Sequence, residues 1–399
     1  MIDLQGVRAL VLDGEQRASL AVTRSLVRSG CAVTVAASSR WSLAALSRGA
    51  SWARVNASAL GDPQGFAAEV AALAARTGAQ VVLPITDPSV ESIVEHRALF
   101  PHGVSIPFAG LEIYRAASDK IHVHRLALDV GLGVEQSQII LSPDDPVPST
   151  ADFYPGFVKP HRSVVGTRVR AKTSVRMVSS PDECAKVLRE LPAAAFPVLL
   201  QRGVRGAGIG YFALRLKGRT LARFAHRRLR EKPPAGGVSV LSESIELDDR
   251  LQAACDALLD RLQWEGVAMV ECKEDLDFGG WRVMEINGRF WGSLQLAVDC
   301  GVDFPAHLIR SALRSDATVP PDWFVGRRLR WEWGDIDHLL IRLLRSRESL
   351  RLPAEAPGRA KAILRFLMYR PGRDRLEVLR LADPLPFLGE CAARMGVVR

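Results

Sequence analysis

Val267-Ala268-Met269-Val270-Glu271-Cys272 and Arg282-Val283-Met284-Glu285-Ile286-Asn287-Gly288-Arg289 are the two stretches on which the reading of this chain turns. Both read as strands, with acidic residues where apolar ones are expected. Strand side chains alternate faces, so Glu285 and Asn287 project from one face, about 6–7 Å apart. The segment between the strands, Lys273 to Trp281, carries Asp277 and Gly279-Gly280 near its middle, a hairpin signal. A symmetric hairpin centred near Phe278 sets Glu271 opposite Glu285 on that same face. Three hard oxygen ligands, Glu271, Glu285 and Asn287, then converge without sulfur or imidazole. Such a set suits Mg²⁺, which is usually held by one or two carboxylates plus substrate phosphates. The plainer reading is a solvent-facing strand pair with ordinary surface acids. Two carboxylates directly opposite each other repel, which weighs against that reading unless a cation lies between them.

Composition sets the outer bounds. A chain of 399 residues has room for two or three domains with substantial cores. Hydrophobic residues make up 48% and charged ones 24%, ordinary material for a soluble globular protein. No apolar run approaches the ~18 residues of a membrane span. The opening residues, Met1 to Gly6, lack the basic start and long apolar stretch of a signal peptide. The six cysteines are scattered without a Cys-x-x-Cys pair, the usage of reduced, mostly buried thiols. A cytoplasmic protein is expected.

The net charge of +9 is unevenly placed. Residues 201–232 carry ten Lys/Arg against one acid, Glu231, and residues 320–399 carry sixteen against ten. A dense basic stretch can serve nucleic acid, an anionic membrane surface or a phosphorylated ligand. Nucleic-acid binding usually wants a recognised module or aromatic residues interleaved for stacking. Here the basic residues alternate with strand residues (Gly210 to Leu216), which favours a ligand-facing sheet and no nucleic-acid partner.

Along the chain three blocks follow. The first alternates strands (7–12, 32–36, 81–85) with helices (17–28, 64–77, 88–99), the pattern of a parallel, doubly wound sheet. The loop after its first strand, Asp13-Gly14-Glu15, lacks Gly-x-Gly-x-x-Gly, so a dinucleotide site there is unsupported. The second block opens with Ser118 as an expected N-cap, Asp119 and Lys120 in the first turn, and a helix to about Val130. Strands are expected at 138–141, at 157–160 ending in Lys159-Pro160, at 167–172 and at 198–201. Ser180-Pro181 opens a helix, and Asp248 caps a long amphipathic one with Leu251, Cys255, Leu258, Leu259 and Leu262 on one stripe. The third block, 311–399, has helical stretches near 335–346 and 359–369.

In this order and spacing the elements resemble the ATP-grasp superfamily of carboxylate–amine ligases, over roughly residues 1–310. Ser118-Asp119-Lys120 looks like the first nucleotide lysine and Val158-Lys159-Pro160 like the second. Leu200-Gln201-Arg202-Gly203-Val204 occupies the place of the hinge segment that holds adenine. Val270-Glu271 and Met284 to Arg289 look like the metal-binding strands. The segment from Phe224 to Arg230, leading into Gly236-Gly237-Val238-Ser239, resembles that of predicted ligases of unknown substrate. The resemblance implies an α/β fold of the α+β ATP-grasp kind. A Rossmann-like pre-ATP-grasp domain (1–115) would precede the ATP-grasp domain (116–310). The latter would have a lid lobe over about 120–198 and a metal-binding lobe over about 199–310. A basic, mostly helical region (311–399) would follow.

The same resemblance implies the chemistry. Enzymes of this superfamily phosphorylate a carboxylate with ATP, and an amine then attacks the acyl phosphate. Phosphoryl transfer asks the protein for positioning and charge neutralisation. Glu271, Glu285 and Asn287 would hold one or two Mg²⁺, or Mn²⁺. Lys120 and Lys159 would grip phosphates as compact cations, with Gln201 and Val204 beside the nucleotide. Arg289, two residues beyond Asn287, would stabilise the transferring group or the acyl phosphate. Two departures stand out. The loop after Lys159, His161 to Thr167, holds one glycine where the family is glycine-rich, and Gln201 stands where a carboxylate is common.

Substrate choice is expected between His226 and Glu243. Arg227, Arg228 and Ser239 would seat the acid or an anionic amine donor, Arg being suited to bidentate carboxylate binding. His226 would serve as general base, against the plainer reading of a polar surface histidine. The arginines of the last block suggest contact with a membrane surface or a partner, and a homodimer is compatible with the sequence. The leading function is an ATP- and Mg²⁺-dependent ligase joining a small carboxylic acid to an amine, with release of ADP and phosphate. The alternative is an ATP-binding regulatory protein, or one that kept the fold and lost turnover. A ligase of the same class with a different nucleophile is a third reading.

Overall fold

Residues 3–166, 170–314, 322–352 and 356–397 are described in the computed structural model. By compactness they divide into two units, each assembled from separated stretches of chain. One comprises Met1–Arg54, Ala222–Glu246 and Trp291–Arg399, and the other Val55–Leu221 and Leu247–Phe290.

In the first unit the strands Arg8–Val11, Ala32–Ala37 and Ala50–Arg54 pair in parallel. The helix Arg17–Arg28 covers them with Leu20, Val22 and Leu26, and its expected bounds match. The third of these strands was not expected, and its half-exposed Ala-Ser-Trp-Ala-Arg pattern explains why. A second sheet pairs the end of Arg219–Lys232 with Val238–Ser244, then Arg328–Arg330, then Asp374–Leu376. The C-terminal region is mostly helical, with Glu332–Leu344, Arg359–Leu367 and Leu385–Arg394. Among the described residues, no helix is long and apolar enough to cross a membrane.

The second unit contains two larger sets of antiparallel strands beside the short pair Val164–Val165 and Ala171–Lys172. One orders Ser137–Ile140, Val198–Arg202, Gly156–Pro160 and Arg176–Val178 side by side. Its Val158, Val198 and Leu200 face a core completed by Cys184, Val187 and Leu188 of the helix Pro181–Arg189. That helix starts as expected, with Ser180 Oγ accepting from Glu183 N at 3.2 Å. Alternation turns Phe157, Lys159, Leu199 and Gln201 to the other face. The second sheet orders Trp281–Asn287, Gly266–Glu274 and Gly208–Leu216. Asp248 caps the helix Asp249–Arg261, accepting from Arg250 N and Leu251 N, again as expected.

Two expectations change. Ser118 is not the N-cap of the lysine-bearing helix. It ends the preceding helix, Leu111–Ser118, with its hydroxyl on Tyr114 O. Asp119 caps Lys120–Asp129 instead, accepting from Ile121 N and His122 N at 2.9 and 3.0 Å. A carboxylate serves this role better than a hydroxyl because it also meets the helix dipole. The expected strand over 167–172 is reduced to Ala171–Lys172, and residues 167–169 lie outside the described residues.

The basic stretch 201–232 is also largely neutralised by acids distant in sequence. In the second unit Arg202 pairs with Glu135, Arg205 with Asp277, and Arg215 with Asp256 and Asp260. In the first, Arg230 pairs with Asp335 and Lys232 with Asp337.

Candidate functional site

The acidic hairpin forms as its sequence suggested, with Glu271 directly opposite Glu285 and Met269 opposite Asn287. It also contains an irregularity. Beyond the acids Cys272 pairs with Val283, so Met284 is an extra residue, a β-bulge. Val283 and Ile286 face the core, fully buried or nearly so. The bulge leaves both Met284 and Glu285 on the site side, and Lys159 Nζ approaches Met284 Sδ at 3.7 Å. Strict alternation would have sent Met284 inward.

Around this pair the second unit gathers cations. Lys120, 4% exposed, places Nζ 3.3 Å from Glu285 Oε2. Asn287 Nδ2 donates to Glu285 Oε1 at 3.0 Å, and Arg289 Nη2 donates to Asn287 Oδ1 at 3.0 Å. The strand ends at Asn287, yet Arg289 still reaches back along it. Arg289 is fixed by Asp87, whose Oδ2 accepts from Nε at 2.9 Å. Asp87 Oδ1 in turn accepts from the buried Tyr114 hydroxyl at 3.0 Å. Burial, with Asp87 adding to it, pushes the Tyr114 pKa well up, so the hydroxyl stays a donor. Burial alone would raise the Glu285 pKa. Lys120, the Asn287 hydrogen bond and Lys159 outweigh it and hold the carboxyl at about 2.

Lys159 and Gln201 lie diagonally across neighbouring strands, since Lys159 pairs with Leu199. Lys159 Nζ donates to Gln201 Oε1, which fixes the amide orientation. Gln201 Nε2 then points at His124 Nε2, 3.2 Å away, so that nitrogen must be an acceptor. His124 is accordingly neutral: burial, with help from Lys159, lowers its pKa to about 4. Burial also lowers the Lys159 pKa to about 8, against the opposing pull of Glu285. Val204 is buried in the loop after the hinge strand, and its carbonyl accepts from Lys273 Nζ at 3.0 Å.

Sequence reasoning missed Asp87, Tyr114, His124 and Met284. Only His124 carried a signal, being four residues after Lys120 on one helix face. Asp87 follows a short buried strand, where an acid reads equally well as a helix-start residue. A cavity of about 20 Å³, room for about one water, is lined by Asp87, Lys120, Arg162, Ser163, Glu285 and Asn287 among others. A wider cleft of about 610 Å³ shares Arg162 and is lined also by His122, Arg125 and His161.

The remaining expected residues belong to the first unit. His226 is 1% exposed, with Nδ1 3.3 Å from Ser293 Oγ, and burial, helped by Arg228, lowers its pKa to about 3. Arg227 pairs with Glu243 at 3.3 Å and Arg228 with Glu231 at 3.1 Å. Ser239 Oγ lies 2.7 Å from Ser242 Oγ.

Gly288 holds the end of the acidic strand in place. A Cβ there would come within 2.3 Å of the ring of Trp264, itself 1% exposed. Gly288→Ala is expected to shift Asn287 and Arg289 and to cost about 2 kcal/mol by overpacking. A thermal melt with an unchanged midpoint would contradict this.

Comparison with known proteins identifies the fold. Residues 213–333 match the family model described as ATP-grasp in the biosynthetic pathway with Ter operon. An L-amino acid ligase from Bacillus licheniformis superposes with a TM-score of 0.59 at 15% identity, covering 78% of this chain and 75% of that one. The chain has the ATP-grasp fold. An N5-carboxyaminoimidazole ribonucleotide synthetase bound to ADP shares that fold at TM-score 0.61 and 15% identity, over 82% of this chain and 81% of that one. So does the biotin carboxylase domain of the Hydrogenobacter thermophilus 2-oxoglutarate carboxylase, in complex with MgADP, ADP and bicarbonate. It matches at TM-score 0.61 and 14% identity, over 80% and 73% of the two chains. No curated protein sequence matches this one. Within the ATP-grasp fold the two larger sets of antiparallel strands in the second unit carry Lys159 and Gln201 on one and the paired acids on the other.

Proposed function

We propose that the chain is an ATP- and Mg²⁺-dependent ligase. It would activate a carboxylic acid as an acyl phosphate and join it to an amine, with residues 116–310 as its nucleotide-binding domain. The observation that carries this is the cluster of Lys120, Lys159 and Arg289 around Glu285 and Asn287, facing Glu271. Cations of this kind, held by buried partners, suit a polyphosphate. The oxygen set of two carboxylates and one amide suits Mg²⁺, with phosphate oxygens completing the shell. Among the described residues no group of three or more His, Cys, Asp or Glu is placed to hold a metal ion, and here the third ligand would be the Asn287 amide. Glu271, Glu285 and Asn287 would hold the ion, whose charge would offset that of the phosphates.

The residues then have distinct tasks. Lys120 and Lys159 bind phosphate oxygens, and Gln201, polarised by Lys159 and His124, presents its amide beside the nucleotide. Arg289, locked by Asp87, meets charge that develops on the transferred group. In the reaction a substrate carboxylate oxygen attacks the terminal phosphorus and ADP leaves. The amine nitrogen then attacks the acyl carbon, losing a proton as phosphate departs. Support comes also from relatives of the same fold, one an L-amino acid ligase and others solved with ADP.

The test is ADP release from Mg-ATP with pooled amino acids and small carboxylates, hydroxylamine being present to trap acyl phosphate. Substrate-dependent ADP with a hydroxamate product is expected. Tight ATP binding with no ADP from any pool would favour the regulatory alternative, which the glycine-poor sequence from His161 to Thr167 motivates.

A further inference from the structure

The helix Arg359–Leu367 in the first unit is amphipathic in the reverse of the usual sense. A surface helix ordinarily turns its apolar stripe to the core. Here Ile363, Leu364 and Leu367, one face by their spacing, are 39%, 61% and 69% exposed, and no residue of the helix is buried. Met368 and Tyr369 continue the apolar surface at 45% and 53% exposure.

The helix is held instead through its C-terminal carbonyls. Arg330 donates to Phe366 O and Met368 O at 2.9 and 3.0 Å, and Arg230 to Arg365 O at 3.2 Å. Phe366 lies under the Arg330 guanidinium, 5.5 Å from ring centroid to Cζ. Most of the apolar face is thus left exposed and remains to be covered. The helix Glu332–Leu344, which packs against it, also exposes Leu340 (45%) and Leu344 (80%).

Charge says what that cover is. Residues 359–373 carry Arg359, Lys361, Arg365, Arg370 and Arg373 and no acid. All five cations are exposed. An apolar ridge of leucine and isoleucine, bordered by cations and ending in a tyrosine, is the pattern of a helix lying in a membrane interface. We propose that Arg359–Tyr369 docks on an anionic bilayer, its apolar face set at the acyl boundary and its cations among the headgroups. The proposal is independent of the nucleotide site.

The full chain would be sedimented with phosphatidylcholine vesicles and with vesicles containing about one-third phosphatidylglycerol. Partitioning onto the anionic vesicles alone, weakened by added salt, is expected. Lys361→Ser with Arg365→Ser should lower it roughly 25-fold, at about fivefold for each cation near the surface. Leu364→Glu with Leu367→Glu should lower it at least about tenfold. All four side chains are exposed, so unchanged circular dichroism and melting would show the variants folded. Equal binding to neutral and anionic vesicles, no binding to either, or wild-type binding by both variants would overturn the proposal. So would a dimer that Leu364→Glu with Leu367→Glu dissociates, in a chain that binds no vesicles, since the cover would then be a second copy.

Discussion

Glu285→Gln is expected to reduce Mg-ATP turnover about a thousandfold, the scale set by loss of one preorganised electrostatic contact in a dry site. Glutamine keeps the size of the side chain and the oxygen that accepts from Asn287. It removes the charge that Lys120 and Lys159 face. Lys120 is 4% exposed and Lys159 7%, so neither recovers its hydration when the counter-charge goes. Breaking a buried pair typically costs 3–5 kcal/mol. Glu285 keeps 28% of its side-chain surface, so about 2 kcal/mol is expected in the unliganded protein. The pH dependence has a definite sign. The Glu285 carboxyl lies at about 2 against an ordinary 4.5, so its contribution is complete above about 4.5 and lost as pH falls toward 2. The stability gap between wild type and Glu285→Gln should close across that window. Retained Mg²⁺-dependent turnover in the variant would remove Glu285 from the metal site.

Lys159→Met is expected to weaken ATP binding about a hundredfold, the value of a charge-assisted contact to phosphate. The wild type should show a second signature. The Lys159 pKa of about 8 means that its ammonium is lost above that pH, so ATP affinity should fall from pH 8 upward. In Lys159→Met that fall should vanish. Stability moves the other way. Between about 8 and 10.5 the folded chain has released a proton that the unfolded chain still holds, so wild-type stability gains with rising pH, by up to about 3 kcal/mol. Isothermal titration with ATP and denaturant melts over that range read both effects. A wild-type affinity that stays flat to pH 10 would place Lys159 outside phosphate contact.

The hairpin, its register and its two acids were legible because strand period and turn residues are local properties. The helix caps Ser180 and Asp248 were legible for the same reason. Ser118 was misread because Ser is also a common cap, and Ser-Asp in sequence leaves the choice to the preceding helix, which takes Ser118 as its last residue. The metal set was read from strand alternation and the lysine and hinge assignments from resemblance, and the structure brings Lys120, Lys159, Gln201, Glu285, Asn287 and Arg289 into one linked set. Asp87 and Tyr114 were out of reach, since their link to Arg289 joins positions about 175–200 apart in sequence. The charge of residues 201–232 was visible, but not its partners. Asp335 and Asp337 sit a hundred residues away from the arginine and lysine they neutralise.

Met284 also constrains how this hairpin can diverge. Because one residue is spent in the bulge, the acids face each other only at the present separation of fourteen positions. Gaining or losing a single residue between Asp275 and Gly280 would slide one strand past the other and carry Glu285 away from Glu271. The turn is therefore fixed in length, and the left-handed Gly279 and Gly280, with Asp275 accepting from Asp277 N and Phe278 N, restrict its composition as well. Descendants of this chain that keep both acids should alter the loop only by substitution, or by an insertion that a matching loss of the bulge absorbs.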